Sequence, residues 1–358
     1  MDLHVNRTNF HETRVVDLPP APLEDDQARL RIDSFALTAN NITYVAIGEM
    51  MKYWDFFPAE EPWGRVPVWG FADVVESRHH DLAVGTRVYG FLPMSEELVI
   101  DVGKVDAHGL VDAATHRAPM AAVYNHYSIA DPAIAPGSAG EDRRMVLYPL
   151  FVTSFLVDDY LGDNDYFGAE RVVISSASAK TALGVAHQAS RRDGVEVVGL
   201  TSRGNMEFVI GLGVYDRVVA YDDVDQLPAG TAVYVDVTGS ATVRAGVHER
   251  YRDDLRHDMI LGGTHWDEMG GAGGDLPGPA PTFFFAPTQI AKRNSEWGPD
   301  EFDRQLGEAW RRYSTWAGGW IDFHHDSGPE AVAGTYLALL DNQVSPTVGH
   351  ILSMAQPA

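Results

Sequence analysis

The residues best suited to chemistry lie in the segment Ser175-Ser176-Ala177-Ser178-Ala179-Lys180-Thr181. It places four hydroxyls and one cation among side chains small enough for a ligand to approach the backbone. Arg171 to Ile174, just before it, is a short β-branched run. Leu183, Val185, Ala186 and Ala189 recur at helical spacing within Thr181 to Arg192. A helix that begins just beyond a strand aims its unpaired N–H groups at the intervening turn, so a pyrophosphate is the natural occupant. Val195 to Leu200 forms a second apolar run, followed by Thr201, Ser202 and Arg203. A polar and cationic pair at that tip suits a 2′-phosphate, and the acidic residue that would hold the ribose of NAD is missing there. Ser176, Ser178, Lys180 and Thr181 are therefore candidates for phosphate contact, Ser202 and Arg203 for the 2′-phosphate, and the expected cofactor is NADP(H). The turn lacks the G-x-G-x-x-G fingerprint and keeps only Gly184 inside the helix. An ordinary buried strand–helix–strand unit is the competing reading.

The elements that would position this turn can be read around it. Residues 1 to about 125 are β-rich: Ala28 to Leu37 alternates apolar and polar residues, and Val66 to Glu76, Thr86 to Phe91 and Leu98 to Val102 follow as strands. Between them, Gly48 to Arg65 is rich in aromatics and proline, as a pocket wall or a packed loop would be. A helix over Tyr148 to Tyr160 leads into the turn. Beyond it come a helix at Met206 to Leu212, strands at Val218 to Tyr221 and Ala232 to Val237, a helical segment at Val243 to Leu255, and a strand at Asp258 to Leu261. Strands alternating with helices predict an α/β domain built on a parallel, doubly wound Rossmann sheet, with its ligand at the carboxyl ends of the strands. Glu268 to Pro281 reads as a loop, Pro299 to Ala317 as an amphipathic helix, Pro329 to Leu340 as a helix and Val348 to Ser353 as a closing strand.

At 358 residues, with 45% hydrophobic content, the chain is long enough for two packed domains. Cysteine is absent, which excludes disulfides and cysteine-ligated metals. A net charge of −24 argues against nucleic acid or an anionic membrane as partner. The acidity itself reads as genome composition or adaptation to salt rather than as the mark of a partner. No run reaches the ~20 apolar residues of a membrane span, and the N-terminus has no secretory pattern. A soluble, cytoplasmic protein is expected. Only four lysines occur, against 23 arginines, and one of the four is Lys180. The pairs His79-His80 and His324-His325 read as surface loops, because adjacent residues on a strand face opposite sides and chelate poorly.

In this order, the segments AVGTRVYGF (83–91), ERVVISSASAKTALGVAHQAS (170–190), GLGVYDRVVAYDD (211–223), VYVDVTGS (233–240), MILGGTH (259–265) and TVGHILSM (347–354) resemble the medium-chain dehydrogenase/reductase superfamily, on its zinc-independent quinone and enoyl reductase side. The resemblance spans nearly the whole chain and is compatible with an uncharacterised bacterial branch. It implies a β-rich, groES-like catalytic domain of residues 1–125 completed by a return segment, 285–358, with a Rossmann domain over 126–284 and the active site in the cleft. It also implies dimerisation through the Rossmann sheet. At the position of the family's G-H-E zinc motif stands Trp69-Gly70-Phe71, with no ligand set, so no metal is expected.

Reductases of this type need a positioned nicotinamide and a group that polarises a carbonyl or protonates carbon. The enoyl reductases place a tyrosine on the loop after an early Asn-containing strand, and here that loop holds Asn41 and Tyr53. The resemblance makes Tyr53 the candidate proton donor and Asn41 an orienting amide; the alternatives are an aromatic wall residue and a turn residue. Thr238 and Gly239 would flank the nicotinamide ribose, and Gly262, Gly263 and Thr264 the nicotinamide. The expected function is NADPH-dependent reduction of a small-molecule conjugated carbonyl compound: an enone, a quinone or an enoyl thioester. The alternative is a non-catalytic sensor or structural member of the same fold, with or without NADP(H).

Overall fold

The computed structural model of the chain describes residues 1–17, 19, 21–132, 134–261 and 276–356. They form two compact units, one of Met1–Pro149 with Ile321–Ala358 and one of Leu150–Trp320. The chain thus passes between units later than positions 125 and 284. The residues just past 125 belong to a barrel strand, and two helices follow residue 284 within the second unit.

The first unit opens with β1 (Asp2–Asn6) and β2 (Asn9–Val16), which pair antiparallel. Next come β3 (Gln27–Leu37), helices α1 (Ala39–Ala46) and α2 (Gly48–Met51), β4 (Trp63–Gly64), β5 (Pro67–Ser77), β6 (Arg87–Pro93), β7 (Glu97–Val105), β8 (Gly109–Asp112) and β9 (His126–Ile129). The pairing order β3-β5-β6-β9-β8-β7 closes on itself, because β7 also pairs with the first half of β3. Closure leaves no free edge in that ring. Its interior is apolar: Leu30, Phe35, Val68, Phe71, Phe91 and Tyr127 are fully buried. Gly70 in β5 is required by proximity, since a Cβ there would stand 2.5 Å from the Ser34 carbonyl of the neighbouring strand.

Helix α3 (Gly137–Asp163) runs from the first unit into the second. It is long and apolar enough to cross a membrane by length and composition, a feature that residue runs alone did not show. Met145, Val146, Leu147, Phe151, Leu156, Val157 and Leu161 on it are buried in the fold, as in a core helix.

The second unit contains β10 (Arg171–Ile174), α4 (Lys180–Ala189), β11 (Glu196–Thr201), α5 (Met206–Gly211), β12 (Arg217–Ala220), β13 (Ala232–Asp236), α6 (Ala241–Tyr251), β14 (Leu255–Ile260), β15 (Thr282–Phe283), α7 (Ala286–Glu296) and α8 (Pro299–Ala317). The strands are parallel in the order β12-β11-β10-β13-β14-β15. That order reverses direction beside β10, and the crevice at such a switch point is where open α/β sheets bind ligands. The residues of β10 and β13 are buried on both faces, which explains their continuous apolar runs. One face packs Val172, Ile174, Val233 and Val235 with Val185 and Val157. The other packs Val173, Val198 and Tyr234 with Val247 and Tyr251.

The return segment belongs to the first unit. It holds β16 (Asp322–Ser327), α9 (Pro329–Leu340) and β17 (Val348–Ser353), and β17 joins the second half of β3. The bounds of α8, α9 and β17 coincide with those read from the sequence.

Candidate functional site

In the second unit the turn after β10 is built from serine where glycine is the usual choice. Ser175 is buried; its Oγ donates to Asp236 Oδ1 at 2.8 Å and accepts from the amides of Val237 (2.9 Å) and Thr238 (3.1 Å). It therefore ties the end of β10 to the end of β13. Ser176 takes φ of +51°, in the left-handed region that an L side chain enters reluctantly. Its amide donates to the Tyr221 hydroxyl at 3.0 Å, and Tyr215 donates to the Ala177 carbonyl at 2.9 Å. Two tyrosines that flank β12 on either side thus hold the turn. Ser178 Oγ accepts from Asn205 at 3.1 Å, joining the turn to the segment beyond β11.

Lys180 and Thr181 open α4, whose first-turn amides have no partner within the helix. The positive end of the helix dipole and the lysine coincide there. Burial pushes the Lys180 ammonium down to about 8, so it remains mostly charged at neutral pH, and an anion beside it would favour the charged form further. Gly184 lets α4 lie against α3: a Cβ would fall 2.4 Å from Ser154 Oγ. The surviving glycine thus serves close helix packing.

Ser202 and Arg203 stand beyond β11. The Arg203 guanidinium meets Asp222 at 3.3 Å and Asp223 at 3.0 Å, and its side chain is 61% exposed. Thr238 and Gly239 follow β13, with their amides each 3.1 Å from Asp236 Oδ1. The C-terminal edge of the sheet therefore gathers Ser176, Ser178, Lys180, Thr181, Ser202, Arg203, Thr238 and Gly239. Gly262, Gly263 and Thr264 lie outside the described residues.

Beneath this edge is a buried charge network that the sequence reading missed. Asp236 Oδ2 bonds Arg244 of α6; Arg244 lies 3.7 Å from Asp258 on β14; Asp258 bonds His248 Nε2 at 2.8 Å. His248 Nδ1 lies 2.8 Å from the Pro277 carbonyl, which can only accept. Burial alone would lower the imidazole pKa, but the bonds to Asp258 and Pro277 outweigh it and raise it. When the imidazole is protonated, two carboxylates, one guanidinium and one imidazolium sum to zero charge. The signal was an aspartate closing the buried run Ala232–Asp236, since buried charges are paired.

In the first unit Tyr53 begins a short 3₁₀ turn, Tyr53–Asp55, and is buried. Its ring centroid lies 4.5 Å from that of Tyr44, and its hydroxyl lies 3.3 Å from that of Tyr124. Burial raises the pKa of Tyr53, partly offset by the bond to Tyr124, and burial raises those of Tyr44 and Tyr124 as well. These phenols stay protonated at neutral pH and can donate. Trp69 stacks on Tyr89 at 5.6 Å and also packs against Phe91 and Tyr124. Asn41 is buried in α1, where Oδ1 accepts from the Thr38 amide (2.8 Å) and hydroxyl (3.2 Å) and Nδ2 donates to the Pro67 carbonyl (2.9 Å). Its amide thus caps a helix and braces β5.

The histidine pairs differ from each other. His324 and His325 lie on β16, and His325 pairs with Asp142 at 3.0 Å. His79 and His80 sit in a turn rather than a strand, with rings stacked at 4.8 Å and ligand atoms, with Asp81, within 4.8 Å of one another. The Asp81 amide donates to His79 Nδ1 at 3.2 Å, which commits that ring nitrogen within the turn.

A closed barrel with a returning C-terminal strand, joined to a parallel sheet whose switch point carries a small-residue turn and a helix N-terminus, is the fold of the medium-chain dehydrogenases/reductases. Within that fold, the chain belongs to the family described as protein of unknown function (DUF2855), which matches residues 35–345. No curated protein matches it in sequence. Among solved structures it is similar to CurA from Vibrio vulnificus in complex with NADPH (16% identity over 97% of this chain and 94% of that one, TM-score 0.60). It is also similar to YhdH of E. coli K-12 with bound NADPH (15% identity, 99% and 100% covered, TM-score 0.57). A third is the human synaptic vesicle membrane protein VAT-1 homolog-like protein (12% identity, 100% and 99% covered, TM-score 0.55).

Proposed function

We propose that this protein is an NADPH-dependent oxidoreductase that works without zinc and reduces a small conjugated carbonyl compound such as an enone, a quinone or an enoyl thioester. The observation that carries the reading is the turn after β10: small side chains, the N-terminus of α4 and Lys180 converge where a pyrophosphate would lie. Two fold neighbours are described with NADPH, which supports the same cofactor here. Lys180, Thr181 and the first-turn amides of α4 would hold the pyrophosphate, with Ser176 and Ser178 beside it. Ser202 and Arg203 would hold the 2′-phosphate, and Thr238 and Gly239 the nicotinamide ribose. When bound, the dinucleotide would supply the hydride. Tyr53 holds a proton at its hydroxyl, and Tyr124 shares that hydrogen bond. The zinc-free reading rests on Trp69-Gly70-Phe71 at the family's zinc motif and on a chain without cysteine.

The acidic surface and the buried apolar residues of α3 support a soluble, cytoplasmic protein with neither nucleic acid nor membrane as partner. A homodimer is carried over from the family resemblance. The test is the thermal shift of wild type and Arg203→Ala with NADPH and with NADH. The expected result is a larger shift with NADPH that the substitution removes. No shift with either cofactor would sink the reading.

A second reading, a non-catalytic sensor or structural member, draws support from two features. The Tyr221 hydroxyl already occupies the Ser176 amide, and Arg203 is already paired with Asp222 and Asp223. A shift with NADPH but no oxidation of it by a broad enone, quinone and acyl-thioester panel would favour this one.

A further inference from the structure

The chain has Ser202 and Arg203 beyond β11, where a carboxylate would hold the ribose of NAD. The fold supplies that missing acid from the next strand. β12 runs parallel to β11 with Ala220 opposite Thr201, so the residues that follow the two strands emerge side by side. Beyond β12 the chain enters a short 3₁₀ segment, Tyr221–Gln226, which carries Asp222 and Asp223. Arg203 Nε donates to Asp222 at 3.3 Å and its Nη2 to Asp223 at 3.0 Å. Both sides of this trio are tied to the phosphate turn. Tyr221 accepts from the Ser176 amide at 3.0 Å, and Asn205 donates to Ser178 Oγ at 3.1 Å. The trio is also open to an incoming molecule, with Arg203, Asp222 and Asp223 side chains 61%, 77% and 28% exposed.

One guanidinium here faces two carboxylates, so the group is net negative before any cofactor arrives. A 2′-phosphate brings about two further negative charges and must draw Arg203 away from its partners. Both carboxylates then stand beside it, and like charges at that range repel. A ribose 2′-hydroxyl brings no charge. It can donate to either carboxylate, the bond an acidic residue makes in NAD sites, and it leaves the ion pairs in place.

We propose that Asp222 and Asp223 are specificity-determining residues of the cofactor site. They accept the ribose 2′-hydroxyl of NADH and compete with the 2′-phosphate of NADPH for Arg203. The protein therefore binds both cofactors, and Arg203 gives NADPH only a modest lead. This inference rests on the dinucleotide reading of the turn after β10. The test is calorimetric titration of the full chain with NADPH and with NADH. Wild type should bind both, with NADPH ahead by about tenfold or less. The double variant Asp222→Asn, Asp223→Asn should bind NADPH about fivefold or more tighter and NADH about threefold or more weaker. Opposite effects on the two cofactors are the signature, since mere damage to the turn would weaken both. Exposed ion pairs add little to folding, so the melting temperature should be preserved. If the double variant fails to fold, Asp222→Asn alone, at the more exposed position, should move the two affinities in the same opposite directions. An NADPH affinity that is unchanged or weaker in the folded variant, or an NADH affinity equal to wild type, would overturn the proposal and leave the cofactor reading standing. Binding of neither cofactor by wild type or variant would remove both.

Discussion

At the C-terminal edge of the parallel sheet, Asp236 alone collects Ser175, Tyr234, the amides of Thr238 and Gly239, and Arg244. In the first unit, Tyr53 bonds to Tyr124 while Tyr44 packs on the Tyr53 ring and bonds to Trp69 and Asn40, with no carboxylate among these partners. The first region is tied together by hydrogen bonds and an ion pair that converge on one buried carboxylate; the second is held by ring packing and keeps its hydroxyls neutral. A cofactor platform benefits from the first arrangement, since a fixed backbone meets a fixed diphosphate. A proton-donating surface benefits from the second, since a phenol kept from ionising by burial can still donate.

The comparison breaks most visibly at Asp236. Asp236→Ala takes from buried Arg244 its hydrogen-bonded carboxylate, leaving only Asp258 at 3.7 Å, and should cost about 3 kcal/mol in urea unfolding. A loss below about 1 kcal/mol would mean that the edge is not organised by this carboxylate. In the barrel the corresponding change is mild for folding and severe for turnover. Tyr53→Phe should leave the melting temperature within a few degrees and lower kcat on the best acceptor by about 10²-fold or more. Equal turnover would return Tyr53 to the role of a wall residue.

Lys180 sharpens the contrast through pH. Its ammonium, lowered to about 8 by burial, is charged below that value and neutral above it. NADPH affinity should accordingly fall as pH rises through about 8. Lys180→Met should lower affinity at pH 7 roughly tenfold, the worth of one charge-assisted hydrogen bond, and should flatten the pH dependence. A wild-type affinity that is level from pH 7 to 9 would refute this. The smallest effect belongs to His248. Its folded-state pKa is raised by Asp258 and the Pro277 carbonyl against the opposing effect of burial, so its stabilisation is complete below the unfolded value of about 6.5 and is lost as pH rises through the folded value. The stability gap between wild type and His248→Asn should be widest at pH 5.5 and narrow toward pH 8.5. A gap that widens with pH would show a neutral imidazole.

Much of the scaffold was legible because it is local. The runs Arg171–Ile174 and Pro299–Ala317 carry their own period and punctuation, and their bounds needed nothing from elsewhere. β1, β2 and β16 were not legible: β1 is buried yet alternates polar Asp2, His4 and Asn6 with only two apolar residues, and β2 and β16 run along exposed or half-exposed positions, so a partner strand rather than an apolar run makes them strands. The argument that His79 and His80 face opposite sides failed for a related reason, since a turn has no alternating faces. Within the site, Lys180 and Arg203 could be found from order along the chain. Tyr215, Tyr221, Asn205 and Asp258 could not, because each reaches the turn or the charge network from a different element.

The amino-acid sequence by itself determined the alternation of strands and helices, the replacement of the glycine turn by serine and alanine, and the absence of thiol chemistry, all of which follow from side-chain type and near-neighbour spacing. Only the tertiary structure decided which charges are matched. It set Asp236 against Arg244 and Arg203 against Asp222 and Asp223, while laying Arg144 on Tyr89 with no carboxylate in reach. The reason is physical: Coulombic and hydrogen-bond pairing act over a few ångströms of space. Asp236 meets Arg244 and Ser175 at that distance, and they stand 8 and 61 positions from it along the chain.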